Sequence, residues 1–171
     1  MTGLVLVSAS CLYVLLTKRL LVFCFLVTAS TLCDALDGAV ARAGGRTTKW
    51  GAYLDAMADR YGEGMIVLSV AAVTGTWLLS SMVLLGALLV SYAKARAAME
   101  VTISNQEWPD LMERTERGVI YVVGLAASQL VTWMPLGRDL FWWTLVVLAG
   151  LIHLTVWQRM GRAHQLIRQR H

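Results

Sequence analysis

Apolar and polar positions along this chain alternate in long blocks. Six apolar runs stand out: Gly3–Thr17, Leu20–Leu36, Ala52–Val73, Trp77–Val90, Gly118–Met134 and Leu140–Trp157. A helix needs about 20 such residues to cross a bilayer, within a range of about 17 to 25. The first run is short, and the fourth crosses only by extending into Ser91-Tyr92-Ala93. Glycine and proline mark the breaks. Gly38, Gly44 and Gly45 end the second run, Thr74-Gly75-Thr76 separates the third from the fourth, and Pro135-Leu136-Gly137 separates the fifth from the sixth. The longest polar stretch, Glu100 to Glu116, contains Pro109. The pattern predicts an all-α integral membrane protein, a bundle of six transmembrane helices forming one domain over residues 1–171.

Composition agrees. Hydrophobic residues make up 57% of the 171 positions and charged ones 15%, less charge than a soluble domain carries. The net charge of +4 reflects Lys and Arg gathered in loops, so nucleic acid is not an expected partner. Most of these cations fall between Arg42 and Lys49, between Lys94 and Arg117, and from Arg159 onward, against Lys18, Arg19 and Arg138 on the other side. The positive-inside rule therefore places both termini and the loop after the second run in the cytoplasm, with the membrane being that of the cell. No basic segment precedes the first apolar run, so a cleavable signal peptide is not expected. Cys11, Cys24 and Cys33 lie in apolar runs without a CxxC pair and suggest helix packing rather than a disulfide or zinc.

Four aspartates interrupt this picture. Asp34 and Asp37 close the second run, and Asp55 and Asp59 open the third. Each pair has helical spacing, i,i+3 or i,i+4, and so shares a face. Carboxylates at a membrane edge are costly without a partner. Two helix ends meeting across a short loop would hold one or two hard divalent cations, Mg²⁺ or Mn²⁺. Gly38 and Gly51 lack a Cβ and let a phosphate approach the backbone. Arg42 can neutralise phosphate oxygens. The competing reading is a charge girdle in which these acids only pair with Arg42, Arg46, Lys49 and Arg60. Paired helical spacing around a basic Gly-rich loop argues against it.

The string Asp34-x2-Asp37-Gly38-x2-Ala41-Arg42-x8-Gly51-x3-Asp55-x3-Asp59 resembles the signature of the CDP-alcohol phosphatidyltransferases at every fixed position. The resemblance implies transfer of a phosphatidyl or archaeal ether-lipid group from a CDP-activated lipid to an alcohol, with release of CMP. It implies a two-metal centre on Asp34, Asp37, Asp55 and Asp59. Asp59 would also be the base that takes the acceptor's proton, and Asp37, Gly38, Ala41, Arg42 and Gly51 would line the CDP site. Related enzymes are homodimers, which makes the third and fourth segments, with Gly75, Ser80, Ser81, Gly86 and Ala87, an expected interface.

The acceptor is less sharply written. Ser91-Tyr92-Ala93-Lys94-Ala95-Arg96-Ala97 and Arg114-x-Glu116-Arg117 are similar to strings in prokaryotic phosphatidylinositol-phosphate and archaetidylinositol-phosphate synthases. By that similarity Lys94, Arg96, Arg114 and Arg117 become phosphate ligands for inositol 1-phosphate, with Arg159 or Arg162 as further choices. Taken alone, the same cations read as ordinary snorkelling residues. Glycerol 3-phosphate is the alternative acceptor, which would make the product phosphatidylglycerophosphate. A soluble CDP-inositol donor, giving a di-inositol phosphate, is another variant. A non-enzymatic cation-binding membrane protein is the reading from a different class, but it would place acids along several spans rather than at two helix ends. His153 sits among Leu151, Ile152 and Leu154 and is expected to pack between helices. Trp133, Trp142, Trp143 and Trp157 fall near segment ends, as interfacial anchors do.

Overall fold

The computed structural model describes residues 2–44, 48–101, 112–131 and 134–170. Six α-helices dominate: α1 Thr2–Thr17, α2 Leu20–Ala43, α3 Lys49–Thr74, α4 Trp77–Glu100, α5 Arg114–Leu130 and α6 Leu140–Arg170. Each apolar run became one helix. Among the described residues, a 3₁₀ turn, Pro135–Gly137, precedes α6.

The turns form where the breaker residues predicted them. Gly75 ends α3 in the left-handed region (φ 74°), its N–H donating to the Ala71 carbonyl at 2.8 Å. Only glycine enters that region without cost, which is why it closes helices. Lys18 takes the same region (φ 56°) between α1 and α2. Asp139 opens α6 by accepting the Trp142 N–H at 3.1 Å, and Trp143 Nε1 donates to the Pro135 carbonyl at 3.2 Å.

One expectation needs correction. Gly38 does not break the chain, because α2 runs through it to Ala43. A single mid-helix glycine costs only about 1 kcal/mol relative to alanine, and the good helix formers around it carry the helix onward. Among the described residues, three helices are long and apolar enough to cross a membrane: Leu20–Val40, Trp77–Glu100 and Leu140–Gln169. The apolar part of α1, Gly3–Thr17, is shorter. The head of α3 carries Lys49, Asp55, Asp59, Arg60 and Glu63, and α5 has 17 residues with Arg114, Glu116 and Arg117 at its start. Helices α4 and α6 also run well past their apolar parts, α4 through the alanine-rich segment to Glu100 and α6 to Arg170.

The main helix contacts close a ring in the order α1, α2, α5, α6, α4, α3 and back to α1. Inside it lie Phe23, Val14, Val70, Val90, Leu125, Phe141, Leu145, Leu148 and Ile152, all essentially inaccessible. Tyr121 and Phe141 meet edge to face at 5.4 Å. The outward faces are also apolar: Leu16, Phe25, Leu78 and Val40 are each more than two-thirds exposed, at 76%, 71%, 76% and 72%. Such a surface suits lipid rather than water. Small residues bring helices together. A Cβ at Gly86 would meet Ile152 Cγ2 and the His153 ring of α6, and one at Gly124 would meet Thr144 of α6. His153 is thus a packing residue as expected, its Nδ1 bonded to the Ala149 carbonyl at 2.9 Å.

Candidate metal centre and its arginine neighbours

Short turns within α1–α2, α3–α4 and α5–α6 reverse the chain, so one end of the ring collects the starts of α1, α3 and α5 and the ends of α2, α4 and α6. Asp34 lies near the end of α2. Asp55 and Asp59 occupy the second and third turns of α3. One carboxylate oxygen from each of Asp34, Asp55 and Asp59 lies within 4.8 Å of the others. Asp55 is exposed, and Asp34 and Asp59 are half-buried.

Three carboxylates this close repel one another. An all-oxygen anionic donor set of this kind suits a small hard dication. Ligand oxygens about 2.1 Å from one ion lie at most about 4.2 Å apart when trans and about 3 Å apart when cis, so side-chain rotations that draw the three carboxylates together would seat them on one cation. The residues present therefore fit Mg²⁺ or Mn²⁺. Asp37, one turn beyond Asp34, is exposed and is not among the three.

Gly3 is a participant that the sequence did not reveal. A Cβ built on it would sit 2.5 Å from Asp34 Cγ and 2.7 Å from Asp34 Cβ, and closer still to Oδ1. The start of α1 therefore leaves the space that the Asp34 carboxyl fills. Nothing marks Gly3 in the sequence beyond its place at the head of an apolar run.

The motif glycine Gly51 has a structural use. Thr48 caps α3 by accepting the Gly51 N–H at 3.0 Å, and a Cβ on Gly51 would crowd that hydroxyl at 3.0 Å. Gly51 is exposed at the helix start, which leaves its surface open to a ligand. Gly38 follows Asp37 within α2 and is half-buried. The backbone of Ala41 and Arg42 belongs to α2, while their side chains, together with Arg46, lie outside the described residues. The same holds for residues 102–111 and Trp133.

The four cations assigned to the acceptor separate into different environments. Arg114, at the start of α5, forms an ion pair with Asp59 through Nη1 and Oδ2. Arg117, one turn later, is buried and committed elsewhere. Its Nη2 and Nε donate to Glu63 Oε1 at 3.1 and 3.3 Å, and its Nη1 donates to the Met112 carbonyl at 3.0 Å. Arg96 pairs with Glu100 at 2.6 Å along α4. Lys94 is half-buried one turn after Ser91, on the same face of α4. Arg60, read from the sequence only as a possible girdle cation, joins Glu63 Oε2 at 2.9 Å and Ser91 Oγ at 2.7 Å. Arg159 of α6 is buried and donates to the Val90 carbonyl of α4. Glu63, one turn past Asp59 on α3, links two of these arginines.

Comparison with known proteins now adds to the geometry. The family model described as CDP-alcohol phosphatidyltransferase matches residues 1–158. An archaetidylinositol phosphate synthase of Methanothermobacter thermautotrophicus is 37% identical over 136 residues, covering 79% of this chain and 66% of that protein. A phosphatidylinositol phosphate synthase of Corynebacterium glutamicum is 35% identical over 139 residues, covering 76% of this chain and 59% of that protein. The chain thus spans less than two thirds of the length of these curated relatives. Among solved structures, Mycobacterium tuberculosis phosphatidylinositol phosphate synthase with CDP-DAG bound superposes with a TM-score of 0.80 at 26% identity, covering 94% of this chain and 82% of that one. The same enzyme in complex with manganese and citrate also gives 0.80.

Proposed function

Because the chain belongs to the CDP-alcohol phosphatidyltransferase family, we propose that it transfers a phosphatidyl-type group from a CDP-activated lipid to a phosphorylated alcohol, inositol 1-phosphate. The observation that carries this reading is the cluster of Asp34, Asp55 and Asp59 with Arg114 on Asp59. It joins a dication site to a cation able to meet an acceptor phosphate. The names of the relatives, which act in inositol phosphate lipid synthesis, support that choice of acceptor.

In this reading Asp34, Asp37, Asp55 and Asp59 hold Mg²⁺ or Mn²⁺ in one or two sites. A cation held there would neutralise the donor's pyrophosphate and polarise the reacting phosphorus. The segment from Gly38 through Arg42 and Gly51 receives the CDP moiety. The acceptor hydroxyl oxygen attacks the phosphorus that bears the lipid, its proton passes to Asp59, and the bond to the CMP oxygen breaks. Arg114 turns from Asp59 to the acceptor's phosphate, with Lys94 lining the same pocket. Placing the acceptor against Asp59 converts a bimolecular encounter into a local one, a large part of the rate gain.

The proposal includes six spans, a site on the cytoplasmic face, and a homodimer through α3 and α4. The apolar outer surface and the distribution of Lys and Arg support the first two. A CMP-release assay in detergent, with CDP-diacylglycerol or its archaeal ether analogue and a panel of inositol 1-phosphate, glycerol 3-phosphate, serine or no acceptor, tests the function. Release that depends on inositol 1-phosphate supports it, while release with none of these acceptors overturns it.

A further inference from the structure

Two ion pairs bridge α3 and α5 as rungs of one ladder. Asp59 and Glu63 stand at i,i+4 on α3, and Arg114 and Arg117 at i,i+3 on α5, so each helix presents both partners on one face. The upper rung, Asp59–Arg114, is open to solvent, with side chains 20% and 45% exposed. The lower rung, Glu63–Arg117, is sheltered, at 16% and 4%.

These helices are not neighbours in the ring. The principal contacts of α3 are with α1 and α4, and those of α5 are with α2 and α6. Interdigitated apolar side chains therefore do little to set the spacing between α3 and α5. The lower rung is built to set it. Glu63 Oε1 receives two nitrogens of Arg117, and Glu63 Oε2 receives Arg60, whose Nη1 also donates to Ser91 of α4. The remaining nitrogen group of Arg117, Nη1, holds the Met112 carbonyl just ahead of α5. Next to it, Glu113 and Glu116 form a reciprocal capping box, with the Glu113 N–H donating to Glu116 Oε2 at 3.0 Å. The first residue of the helix begun in this way is Arg114.

We infer that Glu63 is a positioning residue. Through Arg117 it sets the start of α5 so that Arg114 reaches Asp59, and Arg117 serves this placement rather than binding the acceptor's phosphate. All three guanidinium nitrogens of Arg117 are already engaged in a site nearly closed to water. Breaking a sheltered pair of this kind leaves an uncompensated charge and is strongly disfavoured. The inference deepens the proposed function and rests on it for the role of Arg114.

A double-mutant cycle tests it. Glu63→Gln, Arg117→Gln and the double variant are assayed for CMP release against the acceptor and the CDP-lipid separately. Glu63→Gln is expected to raise the acceptor KM on the order of ten-fold, about 1.4 kcal/mol, with the CDP-lipid KM unchanged. The double variant is expected to be no worse than either single one. Additive losses, or an acceptor KM raised by Arg117→Gln far beyond that of Glu63→Gln, would mean that Arg117 binds substrate directly and would overturn the inference. A purely structural role would lower the activity of each variant without separating the two KM values. A second measurement does not need turnover. Spin labels at the exposed positions Met57 of α3 and Val119 of α5, in a background without Cys11, Cys24 and Cys33, report the distance between the helices. Glu63→Gln should shift or broaden it, and an unchanged distribution overturns the positioning role. Should the wild-type protein release no CMP with any acceptor, the functional proposal fails while the distance measurement still decides the role of Glu63.

Discussion

Gly3→Ala isolates the packing that places one carboxylate. The new methyl carbon would lie 2.5 Å from Asp34 Cγ and 2.7 Å from Asp34 Cβ, where carbon atoms normally rest about 3.5–4.0 Å apart. Because Asp34 Cβ itself is too close, rotating the carboxyl about χ1 does not relieve the overlap. Either α1 or the end of α2 must give way by roughly 1 Å, an overpacking cost of about 1–3 kcal/mol. A ligand set tolerates displacement of only about 0.5 Å before its geometry is lost. Gly3→Ala should therefore insert and purify like the wild type, with a melting temperature in detergent only a few degrees lower. The Mn²⁺ concentration for half-maximal CMP release should rise on the order of ten-fold, the equivalent of about 1.4 kcal/mol. Gly150→Ala is the control, since a Cβ there meets nothing within 4 Å. Should Gly3→Ala keep the wild-type Mn²⁺ dependence, the close approach of α1 does not set the position of Asp34, and the reasoning fails.

Other outcomes follow from the same geometry. Asp55→Asn and Asp59→Asn should each abolish CMP release, by 10²-fold or more, with membrane insertion unchanged; retained activity in both would sink the metal-site reading. Two carboxylates whose oxygens lie within 4.8 Å of each other repel by roughly 3 kcal/mol at an effective dielectric constant of 20, and by less where Asp55 meets water. In EDTA, Asp55→Asn should accordingly melt at a higher temperature than the wild type, and in millimolar Mg²⁺ at a lower one; calorimetry showing no such crossover would count against a cation at the cluster. Gly124→Ala drives a methyl into the Thr144 side chain of α6 and should cost about 1–3 kcal/mol, read as a lower melting temperature with the Mn²⁺ dependence unaltered.

Hydrophobic patterning and turn chemistry determined much of this protein. Six apolar runs became six helices, since a buried or lipid-facing helix must be apolar along its length and its ends must carry breakers. Gly75 and the Pro135–Gly137 turn were legible because their backbone demands are local. The aspartate spacing, likewise local to two helices, disclosed three of the cluster's members and the family. Gly38 misled because glycine's helix penalty is small enough for the neighbouring residues to override. Long-range choices were not written locally. That Asp34 needs the vacancy at Gly3, that Arg114 meets Asp59, and that Arg117 turns to Glu63 depend on which helices become neighbours in the ring. The four acceptor cations look alike as a string of basic residues. Only the tertiary arrangement gave Arg114 and Arg117 different partners, because an arginine's role is set by the carboxylate or carbonyl within its reach.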